Sequence, residues 1–343
     1  MPPDLWSLYE WMFKSRTLEE AVLQLWKDGK ISGEMHLGLG EEAIVAGIVP
    51  QLTDGDAMAL DHRGTPPMVI RGVESVSLLR EFMGDQGGLC GGMGGHMHLF
   101  VPDKLAASSG IVGAAGPAAA GFALAGQMLR PGSVSVAFFG EGAANAGMLL
   151  ESMNLAVVWK LPVVFVCKDN GWEITTPADS VLGGSLLARA RAFGMEAIEV
   201  DGAEIEAVWS AGELALRHAR AGNGPVFILA HCVHLEGHFL GDPMLNMVRR
   251  PVYSFHKRIW PMIRGALSAG GAPWRERIAS MRRLLGTVIK IQGQTARERD
   301  PLVRTGKALA SKDHARLAEI ESRVRRDVQE DVAAALRPVG RSA

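Results

Sequence analysis

The sequence is poor in features that mark several common classes of protein. Its 343 residues include only three cysteines, Cys90, Cys167 and Cys232, and these do not have the spacing of metal ligands. No apolar run is long enough to span a bilayer, and the first residues do not resemble a secretory signal peptide. Because scarce, unclustered cysteines are typical of reduced thiols, the sequence predicts a cytoplasmic protein without a disulfide framework.

An excess of charge of either sign is also lacking. There are 36 lysine and arginine residues against 37 aspartate and glutamate residues, so the formal net charge is −1 at pH 7. This balance argues against nucleic acid as a main partner. Hydrophobic residues are plentiful at 48%, which is high for a soluble domain and favours a subunit that buries much of its surface in an assembly.

Two segments in the middle of the chain predict a strand, a helix and a strand. Residues 133–139 are apolar and rich in β-branched and aromatic residues, and they run into Gly140-Glu141-Gly142. Apolar residues recur at helical spacing over 143–159, and a second apolar run at 162–167 precedes residues 168–172. Since such a crossover is right-handed and its strands are parallel, both strand-end loops should meet at one edge of a sheet, where ligands bind.

The residue types at this edge predict a site for a diphosphate and a divalent cation. Gly140 and Gly142 permit close approach of the backbone, and a helix opening at Ala143 would offer free N–H groups to an anion. Glu141 would repel a bare diphosphate, and a hard cation removes that conflict. Mg²⁺ suits the oxygen atoms of Glu141 and Asn170. A dinucleotide-binding turn is the alternative, but the third glycine of its motif is missing.

Together with further motifs, these loops resemble the alpha subunit of the E1 component of thiamine-diphosphate-dependent 2-oxoacid dehydrogenases, the pyruvate, branched-chain and acetoin-cleaving enzymes. The cofactor motif of that family, Gly-Asp-Gly followed by Asn-Asn, corresponds here to residues 140–142 and 169–170. The resemblance covers residues from about 10 to 243 and resumes weakly at 299. Other segments in family order are 16–20, 35–43, 91–98, 110–114, 161–162, 201–202, 224–225 and 237–243.

The resemblance implies an α/β fold that binds thiamine diphosphate, with a parallel sheet flanked by helices. It places the cofactor domain at residues 1–243, an inserted helical segment at 244–298 and a C-terminal helical extension at 299–343. Helical apolar spacing around a break at 270–273 predicts that the insertion is a hairpin of two amphipathic helices. Packing on its own subunit, docking of a partner and contact of a basic helix with a membrane surface all remain open for this hairpin.

Site residues follow from the same resemblance. The implied magnesium ligands are Glu141, Asn170 and the carbonyl of Trp172. The implied cofactor-binding residues are His62, Arg63, Gly110, Val112, Gly142, Ala143 and His234. The implied catalytic residues are His36 and His238, with His98 near the substrate entrance.

Several of these positions depart from the family pattern. Glu141 stands in place of an aspartate, which moves the carboxylate out by about 1.5 Å, and Asp169 replaces an asparagine and adds a negative charge. His62 replaces a tyrosine and His234 an arginine, so we expect a weaker, pH-sensitive phosphate clamp, with neutral replacement on a solvated face as the alternative. Phe239 replaces a serine that kinases modify in some relatives, so such control is not expected.

A glycine-rich stretch at residues 84–95 is open to two interpretations. Its composition suits a flexible loop, but lids over active sites have the same composition. Because it lies within the resemblance, we interpret it as a lid.

The function implied is that of an oxidoreductase subunit that binds the diphosphate and Mg²⁺ end of thiamine diphosphate. With a separate E1 beta-like subunit, in an α2β2 assembly, it would decarboxylate a 2-oxoacid and pass the acyl group to a lipoyl-bearing E2 or another acceptor. Two alternatives remain open. One is a thiamine-diphosphate-dependent C–C ligase, lyase or acyl or ketol transferase, and the other is a non-catalytic paralogue that acts as a scaffold.

Overall fold

A computed structural model describes residues 4–174, 176–241, 260–266, 273–280, 282, 286 and 299–338. Its centre is a seven-stranded sheet of order β2-β3-β1-β4-β5-β9-β8, in which only the β2–β3 pair is antiparallel. The strands of this sheet are β1 (Ala57–Leu60), β2 (Phe100–Val101), β3 (Ala106–Ser108), β4 (Ser135–Gly140), β5 (Val163–Asp169), β8 (Glu196–Asp201) and β9 (Val226–His231). Two short strands, β6 (Trp172–Glu173) and β7 (Thr176–Pro177), pair with each other.

Helices flank the sheet, which confirms the predicted α/β fold with a largely parallel sheet. The first eight helices are α1 (Leu5–Lys27), α2 (Glu42–Ile48), α3 (Thr65–Ile70), α4 (Ser75–Phe82), α5 (Ala115–Leu129), α6 (Gly147–Val158), α7 (Leu186–Ala192) and α8 (Ile205–Arg220). Those that follow are α9 (Trp260–Ala266), α10 (Pro301–Ala310) and α11 (His314–Ala335).

The central strand β5 shows why the sheet needs helices on both faces. Val164 and Val166 point into one apolar core, which contains α1, α2 and α8. Phe165 and Cys167 point into the other, beneath α5, α6 and α7. Because side chains alternate across a strand, a strand buried on both sides reads as a continuous apolar run, which is the pattern seen in the sequence.

The predicted strand–helix–strand crossover is present, with one correction. Strands β4 and β5 are parallel neighbours, and Gly140 lies opposite Lys168 at their carboxyl ends. The helix between them begins at Gly147 and not at Ala143. Ala143–Asn145 forms a short 3₁₀ turn, and Ala146 is extended, with ψ of 131°, so the helix cannot be continuous across it.

The C-terminal helix is confirmed as α11, which packs on α1 and α4. Within the predicted insertion the structure describes α9 and a second helical stretch at 274–280. The rest of that hairpin lies outside the described residues, so the hairpin and the domain boundaries stay predictions. In the part of the chain that the structure describes, no helix is both long and apolar enough to cross a membrane.

A buried ionic network joins the N-terminal helices to the C-terminal ones. Arg16 on α1 pairs with Glu42, which is fully buried on α2, and makes two hydrogen bonds of 3.1 Å to Asp300, the residue that caps α10. Removing one partner of a buried pair leaves the others as uncompensated charges. This network therefore fixes α10 against α1 and α2.

We expect Arg16→Met to lower the free energy of unfolding by about 3–5 kcal/mol, because it strands two buried carboxylates. Arg323→Met is the matched control, since Arg323 makes an exposed ion pair with Glu10 and should change stability by at most about 1 kcal/mol. Urea unfolding followed by circular dichroism measures both. Equal effects of the two substitutions would contradict the assigned role of the network.

Candidate functional site

A cavity of about 430 Å³ lies at the carboxyl edge of the sheet. Its walls come from the loops after β1, β4, β5 and β9, together with His36 and residues 109–113. All the site residues expected from sequence line this cavity except His98. His98 lies behind the wall, with its Nε2 3.5 Å from the position that a Cβ on Gly110 would take.

The expected metal ligands converge in one corner of the cavity. One oxygen of Glu141 accepts a hydrogen bond of 2.7 Å from the backbone N–H of Trp172. The Asn170 amide nitrogen lies 3.2 Å from the other oxygen of Glu141 and 3.4 Å from the carbonyl oxygen of Trp172. The partly positive NH₂ group of Asn170 therefore lies between an oxygen of Glu141 and the carbonyl oxygen of Trp172. If the side-chain amide of Asn170 rotated by 180°, its oxygen would take the place of this NH₂ group. The three oxygens would then suit a hard cation such as Mg²⁺.

The charge on Glu141 needs compensation. Burial, and then repulsion by Asp169, raise the pKa of Glu141 to about 7. Among the described residues no lysine or arginine forms an ion pair with it. A divalent cation stabilises a buried, ionised carboxylate more than a solvated one, because the cation offsets the free-energy cost of burying the negative charge.

Asp169, the other departure in this loop, is paired rather than left facing the cavity. Its carboxylate lies 3.1 Å from Nδ1 of His231 and accepts a hydrogen bond of 2.8 Å from the backbone N–H of Gly171. Burial would raise the pKa of Asp169, but the hydrogen bond from His231 outweighs it, and the pKa is lowered. The same hydrogen bond raises the pKa of His231 to about 9. An imidazolium therefore offsets the additional carboxylate.

The other end of the cavity is lined by a cluster of charged groups, of which the sequence assigned Arg63 but not Lys168, Glu41 or Asp61. Lys168, at the end of β5, lies 2.7 Å from Glu41 and 3.0 Å from Asp61, and Glu41 also lies 2.8 Å from His234. Arg63 is buried, and its guanidinium donates to the carbonyls of Leu37 and His238. Those carbonyls are neutral, and among the described residues Glu41, whose carboxylate lies 3.9 Å away, is the acidic group that forms an ion pair with Arg63.

Five imidazoles surround Arg63, and all are neutral near pH 7. Burial is the largest cause and the positive charge of Arg63 the second. Together they lower the pKa of His36 to about 3, His62 to about 2, His96 to about 4, His234 to about 4 and His238 to about 3. A pH-sensitive phosphate clamp would titrate near neutral pH, and neither His62 nor His234 does so in the free protein. The alternative of neutral replacement on a solvated face does not apply either, because both residues line the cavity.

The turn at residues 109–113 leaves no space for a side chain on Gly110. A Cβ there would lie 2.9 Å from the sulfur of Met97, and Gly113 has a positive φ of 86°. The turn therefore places Ile111 and Val112 on the rim of the cavity, where 62% and 66% of their surfaces are exposed.

The glycine-rich stretch is held by one buried carboxylate that sequence reasoning missed. Both oxygens of Glu81, on α4, are engaged: one accepts hydrogen bonds of 2.7 and 2.9 Å from the N–H groups of Cys90 and Gly92, and the other one of 2.6 Å from Gly94. Glycine is required where the stretch folds back on itself, since a Cβ on Gly94 would lie 2.1 Å from the carbonyl oxygen of His98. The stretch is thus a turn wrapped around Glu81, and both the flexible-loop and the lid interpretations stay predictions.

Comparison with known proteins agrees with the geometry. The family model described as dehydrogenase E1 component matches residues 10–256. The alpha subunits of acetoin:2,6-dichlorophenolindophenol oxidoreductase from Cupriavidus necator and Bacillus subtilis are each 40% identical over 240 residues, 69% of this chain and 72% of the relative. The alpha subunit of the pyruvate dehydrogenase E1 component from Rhizobium meliloti is 35% identical over 237 residues, 68% of each chain.

The raised pKa of Glu141 predicts a pH-dependent metal affinity. A proton competes with a cation for this carboxylate below about pH 7, so Mn²⁺ should bind about tenfold more weakly at pH 6 than at pH 8. By the same linkage, the metal-free protein loses stability as the pH rises from 4.5 through about 7. Electron paramagnetic resonance of free Mn²⁺ measures the affinity. A flat profile, or one that survives in Glu141→Gln, would exclude Glu141 as the titrating ligand.

The contacts of Glu81 predict that Glu81→Ala frees the glycine-rich stretch. A hydrogen bond to a charged group contributes about 1.5–3 kcal/mol, so losing three should speed amide exchange in residues 84–95 by at least tenfold. Hydrogen exchange read by mass spectrometry tests this. The matched control is Glu74→Ala in the same helical region, because Glu74 is exposed and contacts Ser77 instead of the loop. Glu81→Gln should be intermediate, and unchanged exchange in both Glu81 variants would refute the anchor.

Proposed function

Because the chain belongs to the dehydrogenase E1 component family and is an E1 alpha-like subunit, we propose that its cavity binds thiamine diphosphate with Mg²⁺. The observation that carries the proposal is the convergence of Glu141, Asn170 and the Trp172 carbonyl at the ends of two parallel strands. These oxygens suit Mg²⁺, and Mg²⁺ in proteins commonly completes its coordination with phosphate oxygens.

The described residues fit the cofactor at three points. Glu141, Asn170 and Trp172 would hold the cation, and Gly142 and Ala143, which line the same cavity, would contribute backbone N–H groups beside it. Arg63 supplies a buried positive charge for the diphosphate. The turn that carries Gly110 and Val112 would receive the aminopyrimidine ring.

Thiamine diphosphate supplies an electron sink for a 2-oxoacid donor, and the chain supplies binding, orientation and exclusion of water. His36 and His238 lie with their ring centroids 5.2 Å apart on the wall of the cavity. Since both imidazoles are neutral, each can accept or donate one hydrogen bond without adding charge beside the cofactor. We assign them the reaction side. The role of His98 near the substrate entrance stays a prediction, since His98 does not line this cavity.

The diphosphate clamp is weaker than the one expected of the family, because His62 and His234 are uncharged near pH 7. His234 is also engaged by Glu41 at 2.8 Å, so it is not a free donor. The cation at Glu141 and the guanidinium of Arg63 therefore carry most of the phosphate affinity in this proposal. Magnesium dependence should accordingly be strong.

A separate beta-like subunit would complete the active site, in an α2β2 assembly. Support comes from the names of the relatives, which are alpha subunits, and from the exposed Ile111 and Val112 on the rim of the cavity. An apolar rim around a cofactor cavity suits a partner surface. A lipoyl-bearing E2 would accept the acyl group in the dehydrogenase reaction.

Acetoin cleavage is a second candidate for the reaction. The relatives named for acetoin are 40% identical to this chain and the pyruvate relative 35%, which favours a small 2-oxo or 2-hydroxyketone donor. A scaffold without cofactor is the third candidate, and the convergence of Glu141, Asn170 and the Trp172 carbonyl favours a chain that binds a cation over it.

We predict that Glu141→Gln weakens binding of thiamine diphosphate in the presence of Mg²⁺ by at least tenfold, since even the loss of an outer-sphere contact costs about 10–100-fold in metal affinity. Calorimetry on the chain co-expressed with its beta-like partner measures this. Glu173→Gln is the matched control, because Glu173 lines the same cavity and is not an expected ligand. Equal losses in both variants would mean a general charge effect, and no binding by the wild-type complex would refute the cofactor.

A further inference from the structure

The imidazole-rich end of the cavity carries a second set of convergent ligand atoms. His36, His62 and His238 each place one side-chain nitrogen within 4.8 Å of the other two. Their ring centroids are 4.6 Å apart for His36 and His62, 5.2 Å for His36 and His238, and 5.6 Å for His62 and His238. We propose that, when thiamine diphosphate is absent from the cavity, these three histidines form a binding site for a divalent transition-metal ion of the Zn²⁺ type, separate from the oxygen ligands at Glu141.

The protonation state of the ring nitrogens suits metal binding. Imidazole ligates a metal only when it is neutral, so a proton on the ring would compete with the ion. Burial, together with Arg63, keeps all three rings uncharged well below neutral pH. A metal at this site would therefore not have to displace protons at pH 7.

His62 has a ring nitrogen that hydrogen bonding within the described residues leaves unsatisfied. Its Nε2 is buried and has no hydrogen-bond partner in the part of the chain that the structure describes. Leaving a buried polar nitrogen unpaired costs about 1–3 kcal/mol, and a bound metal or a hydrogen-bonding ligand would remove that cost. His62 is also the residue that departs from the tyrosine expected at this position, so the third imidazole belongs to this chain rather than to the general family pattern.

His96 gives the site an outer partner. Its Nε2 lies 3.0 Å from Nδ1 of His36, and the two rings stack at 19°. If Nδ1 of His36 donates this hydrogen bond, its Nε2 carries the lone pair that a metal requires. Metal-binding histidines characteristically donate their second ring nitrogen to such a partner, which fixes ring orientation.

The surrounding charges permit a dication here. Arg63 and Lys168 are positive, and Glu41 and the partly buried Asp61 are negative, so the formal charges of these four groups sum to zero. Tetrahedral Zn–N bonds of about 2.0–2.1 Å require nitrogens about 3.4 Å apart, so nitrogens that lie within 4.8 Å of one another must approach by at most about 1.4 Å on binding. Side-chain movements of this size are common in metal binding, because the ligands often reach their final positions only when the metal is bound.

Ligand type separates this site from the one at Glu141. Three imidazoles with a remaining position open to the cavity suit Zn²⁺, Co²⁺ or Ni²⁺, whereas carboxylate and carbonyl oxygens suit Mg²⁺ and Mn²⁺. The two ends of the cavity would therefore select different divalent ions through the type of ligand atom, nitrogen at one end and oxygen at the other.

Titration of the full-length chain with Co²⁺, followed by its visible absorption, tests the site without thiamine diphosphate. We expect saturable 1:1 binding that Zn²⁺ displaces, weakened by at least 100-fold in His62→Tyr and in His238→Asn. His96→Asn should weaken it by about 10–100-fold, as expected of an outer-sphere partner. Circular dichroism and thermal unfolding of each variant separate loss of a ligand from loss of the fold.

Two controls make the outcome decisive. His314→Asn removes an exposed histidine at the start of α11, and Glu141→Gln removes the proposed magnesium ligand, and neither should change Co²⁺ binding. Absence of a saturable Co²⁺ spectrum would overturn the proposal. So would binding that is unchanged in His62→Tyr and His238→Asn, or that is lost in Glu141→Gln, since the ion would then lie elsewhere. The result does not depend on whether the chain binds thiamine diphosphate.

Discussion

The cavity depends on one buried ionic cluster. Lys168, at the end of the central strand β5, is 2% exposed and contacts both Glu41, just before α2, and Asp61, just after β1. Glu41 in turn contacts His234, beyond β9. A buried ion pair contributes little net stability, but loss of one partner is costly. The cluster therefore fixes three separate loops and the start of α2 relative to one another, and these segments form the walls of the site.

The same cluster sets the chemistry of its neighbours. Burial, and then the positive charge of Arg63, lower the pKa of the five imidazoles around it. At the opposite end, burial and then repulsion by Asp169 raise the pKa of Glu141, which makes no ion pair with a lysine or arginine among the described residues. The cavity thus has one end that attracts anions and one that attracts cations, as a magnesium diphosphate requires.

Sequence predicts the features that local pattern determines. The two apolar runs around Gly140-Glu141-Gly142 and before Asn170 identify parallel strands, and parallel strands bring Glu141 and Asn170 together without further information. The helix start after Glu141 could not be predicted so well, because alanines at 143, 144 and 146 suit a helix, a 3₁₀ turn or an extended residue. Helical propensity is a weak guide where the adjoining loop fixes the backbone.

What sequence could not supply are the pairings between distant segments. Asp61 and Lys168 lie 107 positions apart and meet because β1, β4 and β5 are neighbours in that order. The state of His62 and His234 is a similar case, since a histidine in isolation titrates near pH 6.5. Only burial beside Arg63 makes these rings neutral acceptors instead of cationic clamps. A substitution that reads in the sequence as a pH-sensitive clamp is therefore, in three dimensions, a pair of buried rings that stay uncharged near pH 7.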